Sequence, residues 1–296
     1  MSTSMSTGMD TDHTVHAGTG TGTATLLIDA GNTRVKWGWL QRDGSVAAGT
    51  PYAHADSAAA AQASASWRAA APVDKPVAIW LCNVAGPAVD IALRAQAAAA
   101  FAHDAQWHPV ASSAAAAGMR NGYRNPTQLG ADRWVSAIGA RALWPGTPLL
   151  VVTAGTATTL DVITADGMFR GGMILPGLSL MTRSLARGTA QLPDVPAITP
   201  PLPAWADNTQ DAIALGCLSA QCGAIQLVWE RLLADLASSS TPTRPRCILS
   251  GGASDALAAA LTLPYTQYDN LVLAGLAHLA THPATPPATF VGDPSA

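Results

Sequence analysis

Two segments of this chain set carboxylates and hydroxyls around a glycine turn at the end of an apolar run. The first is Leu26-Leu27-Ile28-Asp29-Ala30-Gly31-Asn32-Thr33, continuing through Arg34-Val35-Lys36-Trp37-Gly38-Trp39-Leu40 to Asp43-Gly44. The second, about 124 positions on, is Val151-Val152-Thr153-Ala154-Gly155-Thr156-Ala157-Thr158-Thr159, continuing through Leu160-Asp161-Val162-Ile163 to Asp166-Gly167. Each predicts a buried strand, a tight polar turn, a second strand and an Asp-Gly hairpin. Two such turns facing each other across a cleft would offer backbone N–H groups and hydroxyls to one polyphosphate from both sides, which points to ATP.

Within the first turn, a carboxylate at Asp29 can hold Mg²⁺ directly or through water, beside phosphates bound by Gly31, Asn32 and Thr33. The alternative is that Asp29 braces its own turn by an Asx-type bond. Lys36, on the next strand, suits either phosphate contact or a solvated surface. In the second turn Thr156 is the better phosphate candidate; Thr158 and Thr159 also fit plain strand propensity, and Asp161 a supporting carboxylate. Asp132, in Gly130-Ala131-Asp132-Arg133 at a predicted helix start, suits a general base that accepts a hydroxyl proton. A helix N-cap is the competing role for it. Arg133 offers a fork for a substrate carboxylate, or else pairs at the surface. Gly251-Gly252, between a strand and a helix, lets a ligand approach the backbone.

The elements that must position these groups follow an α/β order. After the first hairpin come a helix over Ala58–Ala71, a strand over Pro76–Leu81, a helix over Ala88–Ala102 opened by Gly86-Pro87, and a short strand near Trp107–Val110. The polar loop from Asn121 to Pro126 leads to a helix from Gly130 to Leu143. Beyond the second hairpin, Pro176-Gly177 precedes a helix carrying Arg183 and Arg187. A Pro-rich connector and a long helix over Thr209–Ala237 follow, with Gly216 and Gly223 expected to admit another backbone closely. Strand Cys247–Ser250 and a last helix over Asn270–Ala280 complete the pattern. The expected organisation is a disordered leader (1–23), two core-forming halves (24–146 and 147–282) and a loose Pro/Ala/Thr-rich tail (283–296).

Composition narrows the chemistry. The net charge is −3, which exerts no pull toward nucleic acid. Lys36 and Lys75 are the only lysines and neither follows a glycine, so a Walker A loop is excluded. Four cysteines form no CxxC pair and read as core residues of a reducing, cytoplasmic compartment. The histidines lack metal-ligand spacing on one helix face, so no zinc is assigned. No run approaches a membrane span, and Trp37, Trp39, Trp67, Trp80, Trp134 and Trp144, scattered with no basic interleaving, read as core rather than as nucleobase platforms.

These residues together resemble the type III pantothenate kinases, a branch of the acetate and sugar kinase/Hsp70/actin superfamily. The match spans about Leu26 to Leu279. It rests on Asp29-Ala30-Gly31-Asn32-Thr33, Tyr123 with Asn125-Pro126, Gly130-Ala131-Asp132-Arg133, Gly155-Thr156-Ala157-Thr158-Thr159 with Asp161, Pro176-Gly177, Thr189-Ala190 before Leu192-Pro193, and Gly251-Gly252. The resemblance implies duplicated actin-like (ribonuclease H-like) domains with mixed sheets and an ATP cleft between them. It also implies ATP- and Mg²⁺-dependent phosphorylation of the primary hydroxyl of pantothenate, the first step of coenzyme A synthesis. On the matched positions Asp132 is the proton acceptor; Gly130, Ala131, Arg133, Tyr123 and Thr189 hold pantothenate. Asp29, Ala30, Gly31, Asn32, Thr33, Arg34, Val35, Lys36, Thr156, Gly251 and Gly252 hold ATP, with Asp29 toward Mg²⁺. A cytoplasmic homodimer, its substrate sites completed near the subunit boundary, is also implied.

One position departs from the pattern. The family usually has an aspartate two residues before the second-turn glycine, where it helps bind K⁺ or NH₄⁺; here that residue is Thr153. Weak or absent dependence on a monovalent cation is the expectation. The competing function is a catalytically weak or inactive member that keeps the ATP fold as a regulatory protein.

Overall fold

The computed structural model describes residues 23–73, 76–101, 105–195, 197–238 and 243–282; all but the last residue of the expected leader, and the tail 283–296, lie outside these. The first apolar run forms β1 (Ala24–Ala30). After the turn, β2 (Arg34–Leu40) returns antiparallel to it and sets Asp29 opposite Lys36. A hairpin leads to β3 (Val46–Ala48), and β4 (Tyr52–Ala53) pairs with the start of β2. The Asp56 side chain caps α1 (Ser57–Ala70), which crosses to β5 (Val77–Asn83), parallel to β1. Then α2 (Pro87–Ala100), with Pro87 in the first turn where its missing N–H costs nothing, crosses to β6 (Gln106–Pro109), parallel to β5.

The second sheet writes the same order again. Strands β9 (Leu149–Ala154), β10 (Ala157–Ile163) and β11 (Met168–Pro176) form an antiparallel meander. Helices α4 (Leu178–Gly188) and α5 (Thr209–Ala237) cross to β12 (Arg246–Ser250), parallel to β9; α6 (Ser254–Ala258) leads to β13 (Tyr265–Gln267), parallel to β12. The sheet orders are β3-β2-β1-β5-β6 and β13-β12-β9-β10-β11, so the repeat read in the sequence is a repeat of topology. Even the hairpin glycines agree, Gly44 at φ 83° and Gly167 at φ 84°. The second sheet is extended by a hairpin, β7 (Ala115–Ala116) and β8 (Met119–Asn121), which docks on β11.

Five layers result. On the outer face of the first sheet α1 and α2 bury Trp37, Trp67 and Leu93. On the outer face of the second, α4, α5 and α6 pack Ile213, Leu218, Trp229 and Leu257 onto Leu150 and Val152. Between the sheets lie α3 (Ala131–Leu143) and α7 (Leu271–Thr281), whose Val135, Ile138, Leu273 and Leu276 share one core with Leu27, Cys82, Val151 and Ile248. Although β7, β8 and α3 precede position 146, they join the second sheet or the middle layer.

Two expectations are corrected here. Among the described residues α5 is long and apolar enough to cross a membrane, with a mean hydropathy of 1.5 over its most apolar window. Gly, Gln and Ser interruptions hide this in the sequence, and the helix lays Ile213, Leu218, Ile225 and Trp229 against the second sheet and its neighbours. Gly216 and Gly223 do not admit another backbone within this chain, since a Cβ on either would meet nothing within 4 Å.

The close approach occurs instead in the middle layer. A Cβ on Gly275 would lie 2.0 Å from the Val135 carbonyl oxygen, and one on Gly139 would lie 2.4 Å from that of Leu271. The backbones of α3 and α7 therefore touch through two glycines. Alanine is the better helix former by about 1 kcal/mol, yet overpacking a closed contact costs about 1–3 kcal/mol. Gly275→Ala is expected to lower stability by urea denaturation, whereas Gly223→Ala, in open space on α5, is expected to raise it slightly.

Candidate active site

Asp29 is the penultimate residue of β1, at 7% exposure. Burial pushes its carboxyl up to about 6; Lys36 opposes the rise and Asp132 adds to it. The carboxylate takes no hydrogen bond from its own turn, which is held by Gly31 N–H donating to the Arg34 carbonyl at 3.1 Å and by the His54 ring on the Gly31 carbonyl at 2.7 Å. The Asx-brace alternative is thereby set aside. Among the described residues the N–H groups of Asn32 and Thr33 have no partner and stand free for an anion. Ala30 and Val35 are core side chains and offer only backbone; Arg34 is exposed; Lys36 is half-buried across from Asp29.

The second turn is tied by Gly155 N–H to the Ala157 carbonyl (3.0 Å) and by Gly177 N–H to that of Thr156 (2.9 Å). A Cβ on Gly177 would lie 2.2 Å from the Gly155 oxygen, so this closure needs glycine. Behind it the buried Gln221 donates to the Pro176 carbonyl at 2.6 Å. The two turns meet: the Thr33 and Thr156 hydroxyls are 2.8 Å apart. Thr158 and Thr159 are buried and serve the fold. Thr153 is half-buried, and its register partners, Thr159 on β10 and Ser250 on β12, are hydroxyl residues too.

Asp132 is not the N-cap of α3; Gly130 is, and Asp132 is the second helical residue. Its Oδ1 accepts the Arg133 N–H at 2.9 Å. A Cβ on Gly130 would stand 2.7 Å from that oxygen, so glycine keeps the carboxylate's place clear. The surface-pair alternative for Arg133 also falls, since the side chain is buried. Its Nε and Nη2 donate to Asp161 Oδ1 at 3.1 and 2.5 Å, and Nη1 donates to the Tyr123 hydroxyl at 2.7 Å. Burial works against the guanidinium charge, but Asp161 and Tyr123 outweigh it and hold the group above its ordinary value. Three of its five N–H donors are used here, leaving two.

Thr189, Gly251 and Gly252 are the remaining candidates. Thr189, at the exposed end of α4, donates to the Leu185 carbonyl at 2.8 Å and bonds none of Asp132, Arg133 or Tyr123. Gly251 is glycine for the backbone's sake, with φ 97° and the Ala154 oxygen 2.3 Å from where a Cβ would sit. Gly252 instead lines a cavity of about 460 Å³ with Leu178, Thr182, Val195, Ile198 and Asp255. The sequence reading missed His54, for which no local signal exists, and saw Asp161 without its partner.

A family model described as type III pantothenate kinase matches residues 25–231. The chain is 47% identical over 280 residues to a type III pantothenate kinase of Cupriavidus taiwanensis, covering 86% of this chain and 97% of that one. It is 49% identical over 279 residues to that of Cupriavidus pinatubonensis, covering 86% and 98%. The chain belongs to the type III pantothenate kinases. Likeness among solved structures is more distant and speaks to fold alone. A Sinorhizobium meliloti protein assigned as a 2-dehydro-3-deoxygalactonokinase is 18% identical at TM-score 0.52, covering 88% of this chain and all of that one. A Campylobacter jejuni protein assigned to the Baf family of transcriptional activators is 17% identical at TM-score 0.51, covering 87% and 98%. Membership of the type III pantothenate kinases does not favour the regulatory alternative.

Asp29 links the candidate site of this pantothenate kinase to stability. Its carboxyl holds a proton more tightly folded than unfolded, so the stability it lends is complete below about pH 4 and is lost as pH rises through about 6. From 3.8 to about 6 the loss amounts to about 3 kcal/mol. Asp29→Asn is therefore expected to melt higher than wild type at pH 7.5 without nucleotide, to lose that advantage near pH 4, and to lose activity throughout. Thermal melts across pH check this.

Proposed function

We propose that this chain transfers the γ-phosphoryl group of ATP to the primary hydroxyl of pantothenate. The observation that carries the reading is Asp132: an uncapped, half-buried carboxylate at the start of α3, electrostatically coupled to buried Asp29 and joined to an arginine with two donors to spare. Asp132 takes the hydroxyl proton as the nucleophile attacks in line. The remaining N–H groups of Arg133, with Tyr123 beside them, hold the substrate carboxylate; Gly130 and Ala131 shape the wall. The N–H groups of Asn32 and Thr33 and the hydroxyls of Thr33 and Thr156 take the phosphates, and the nucleoside end extends toward the cavity at Gly252.

The buried, raised Asp29, with Asp132 nearby, is a hard oxygen donor pair of the kind that suits Mg²⁺. Asp29 would hold the ion, directly or through water, and the ion would neutralise charge on the phosphates. Thr153 does not fit a carboxylate-based K⁺ or NH₄⁺ site, so no step is routed through a monovalent cation. Thr189, exposed and hydrogen-bonded to none of Asp132, Arg133 or Tyr123, suits a cytoplasmic homodimer in which one chain's Thr189 completes the pantothenate pocket of the other.

ADP release from purified protein with pantothenate and Mg-ATP tests the core of this. Asp132→Asn is expected to bind ATP normally and to lose about 10²–10⁴-fold in kcat; equal rates would remove Asp132 as the base. In the same assay, replacing K⁺ by Na⁺ is expected to change the rate by less than about twofold. Strong, saturable activation by K⁺ would sink the reading of Thr153.

A further inference from the structure

We propose that His54 is a positioning residue that aims the Asn32 N–H into the phosphate site; this rests on the reading of that turn given above. The residue follows β4, whose pairing with β2 brings it behind the turn. Its ring Nε2 lies 2.7 Å from the Gly31 carbonyl oxygen, and its backbone N–H reaches the Thr33 carbonyl at 3.4 Å. A carbonyl oxygen can only accept, so Nε2 carries the proton in this bond.

Peptide planarity turns this contact into an aiming device. In a trans peptide the C=O and the following N–H point to opposite sides. Holding the Gly31 carbonyl toward His54 therefore turns the Asn32 N–H away from His54, and that N–H has no partner among the described residues. The Thr33 carbonyl shares its peptide with the Arg34 N–H, so the longer backbone contact from His54 tethers the far end of the turn and does not aim the Thr33 N–H. The other restraints on the turn are the Gly31 N–H bond to the Arg34 carbonyl and the Thr33–Thr156 hydroxyl contact, neither of which fixes the Gly31–Asn32 peptide plane, and Gly31 is conformationally permissive. A flipped Gly31–Asn32 peptide would present its oxygen, rather than its N–H, to the phosphates.

Glutamine has the same number of bonds from Cα to a donating Nε2, so it can replace the contact where alanine cannot. His54→Ala is expected to raise KM for ATP by about three- to tenfold, the worth of one lost neutral hydrogen bond. KM for pantothenate should stay within about twofold and the melting temperature should not move, because His54 is exposed. His54→Gln is expected to restore most of the ATP affinity. An unchanged KM for ATP in His54→Ala, or an equal loss in His54→Gln, overturns the proposal. Thr33→Val separates the two levels: if it weakens ATP while His54→Ala does not, the phosphate turn stands and His54 has no part in it. If neither weakens ATP, the reading of the turn fails and the proposal with it.

Discussion

The backbone contact of α3 with α7 is the constraint on which the rest of the molecule depends. Through Gly139 and Gly275 the two helices approach until a single added methyl would strike a carbonyl oxygen. Only so thin a layer lets both sheets close on it from either side and share one core. The carboxylate proposed as the base rides on this element. Asp132 occupies the second position of α3, so its height above the cleft floor is fixed by how deeply that helix sinks between the sheets. Interiors that pack this densely have few alternative arrangements, and the geometry at the helix start inherits that rigidity.

A second tie works sideways. The pair of Arg133 with Asp161 is almost wholly buried and joins the first turn of α3 to the middle of β10. Buried pairs of this kind contribute little net stability, because both ions lose water. What they contribute is placement, since a guanidinium held by two oxygens of one carboxylate and a phenol has one orientation left. The same bonds leave part of the fork free. The arginine is therefore a pre-aimed donor rather than a mobile charge, and a carboxylate that reaches it finds the orientation entropy already spent.

Much of this was legible in the residues. The strand-turn-strand-hairpin unit at Asp29 and its echo at Gly155 were readable because turn chemistry is local, and so were α1, α2, α3 and α5, whose helical signals are carried by their own segments. Strands β4, β7, β8 and β13 were not foreseen. They are two or three residues long, and what makes them strands is the neighbour they pair with, such as β11 for β8 and β12 for β13. Asp161 was visible as an acid on a strand, but its partner lies 28 residues away across a helix–sheet contact. Likewise nothing near His54 announces that it reaches back 23 residues to Gly31. The sequence also suggested glycines for close packing on α5, while the packing that needed them was in α3 and α7. Glycine reveals permission, and only the tertiary structure shows which permission is used.

The hydroxyl pair Thr33–Thr156 gives the mouth of the cleft an unusual electrical character. Without nucleotide its two lips are joined by neutral groups, each both donor and acceptor. Closing them repels no like charges and strips water from no ion. On the proposed reading, a phosphate oxygen arriving between them would need only that each hydroxyl rotate and donate its hydrogen bond to it, so that one hydrogen bond is exchanged for two and no donor is left orphaned. Ionic strength consequently has little grip on the opening and closing of the lips themselves. On the proposed reading its effect falls on the approach of the charged nucleotide, while Asp29 behind the lips is buried and screened little.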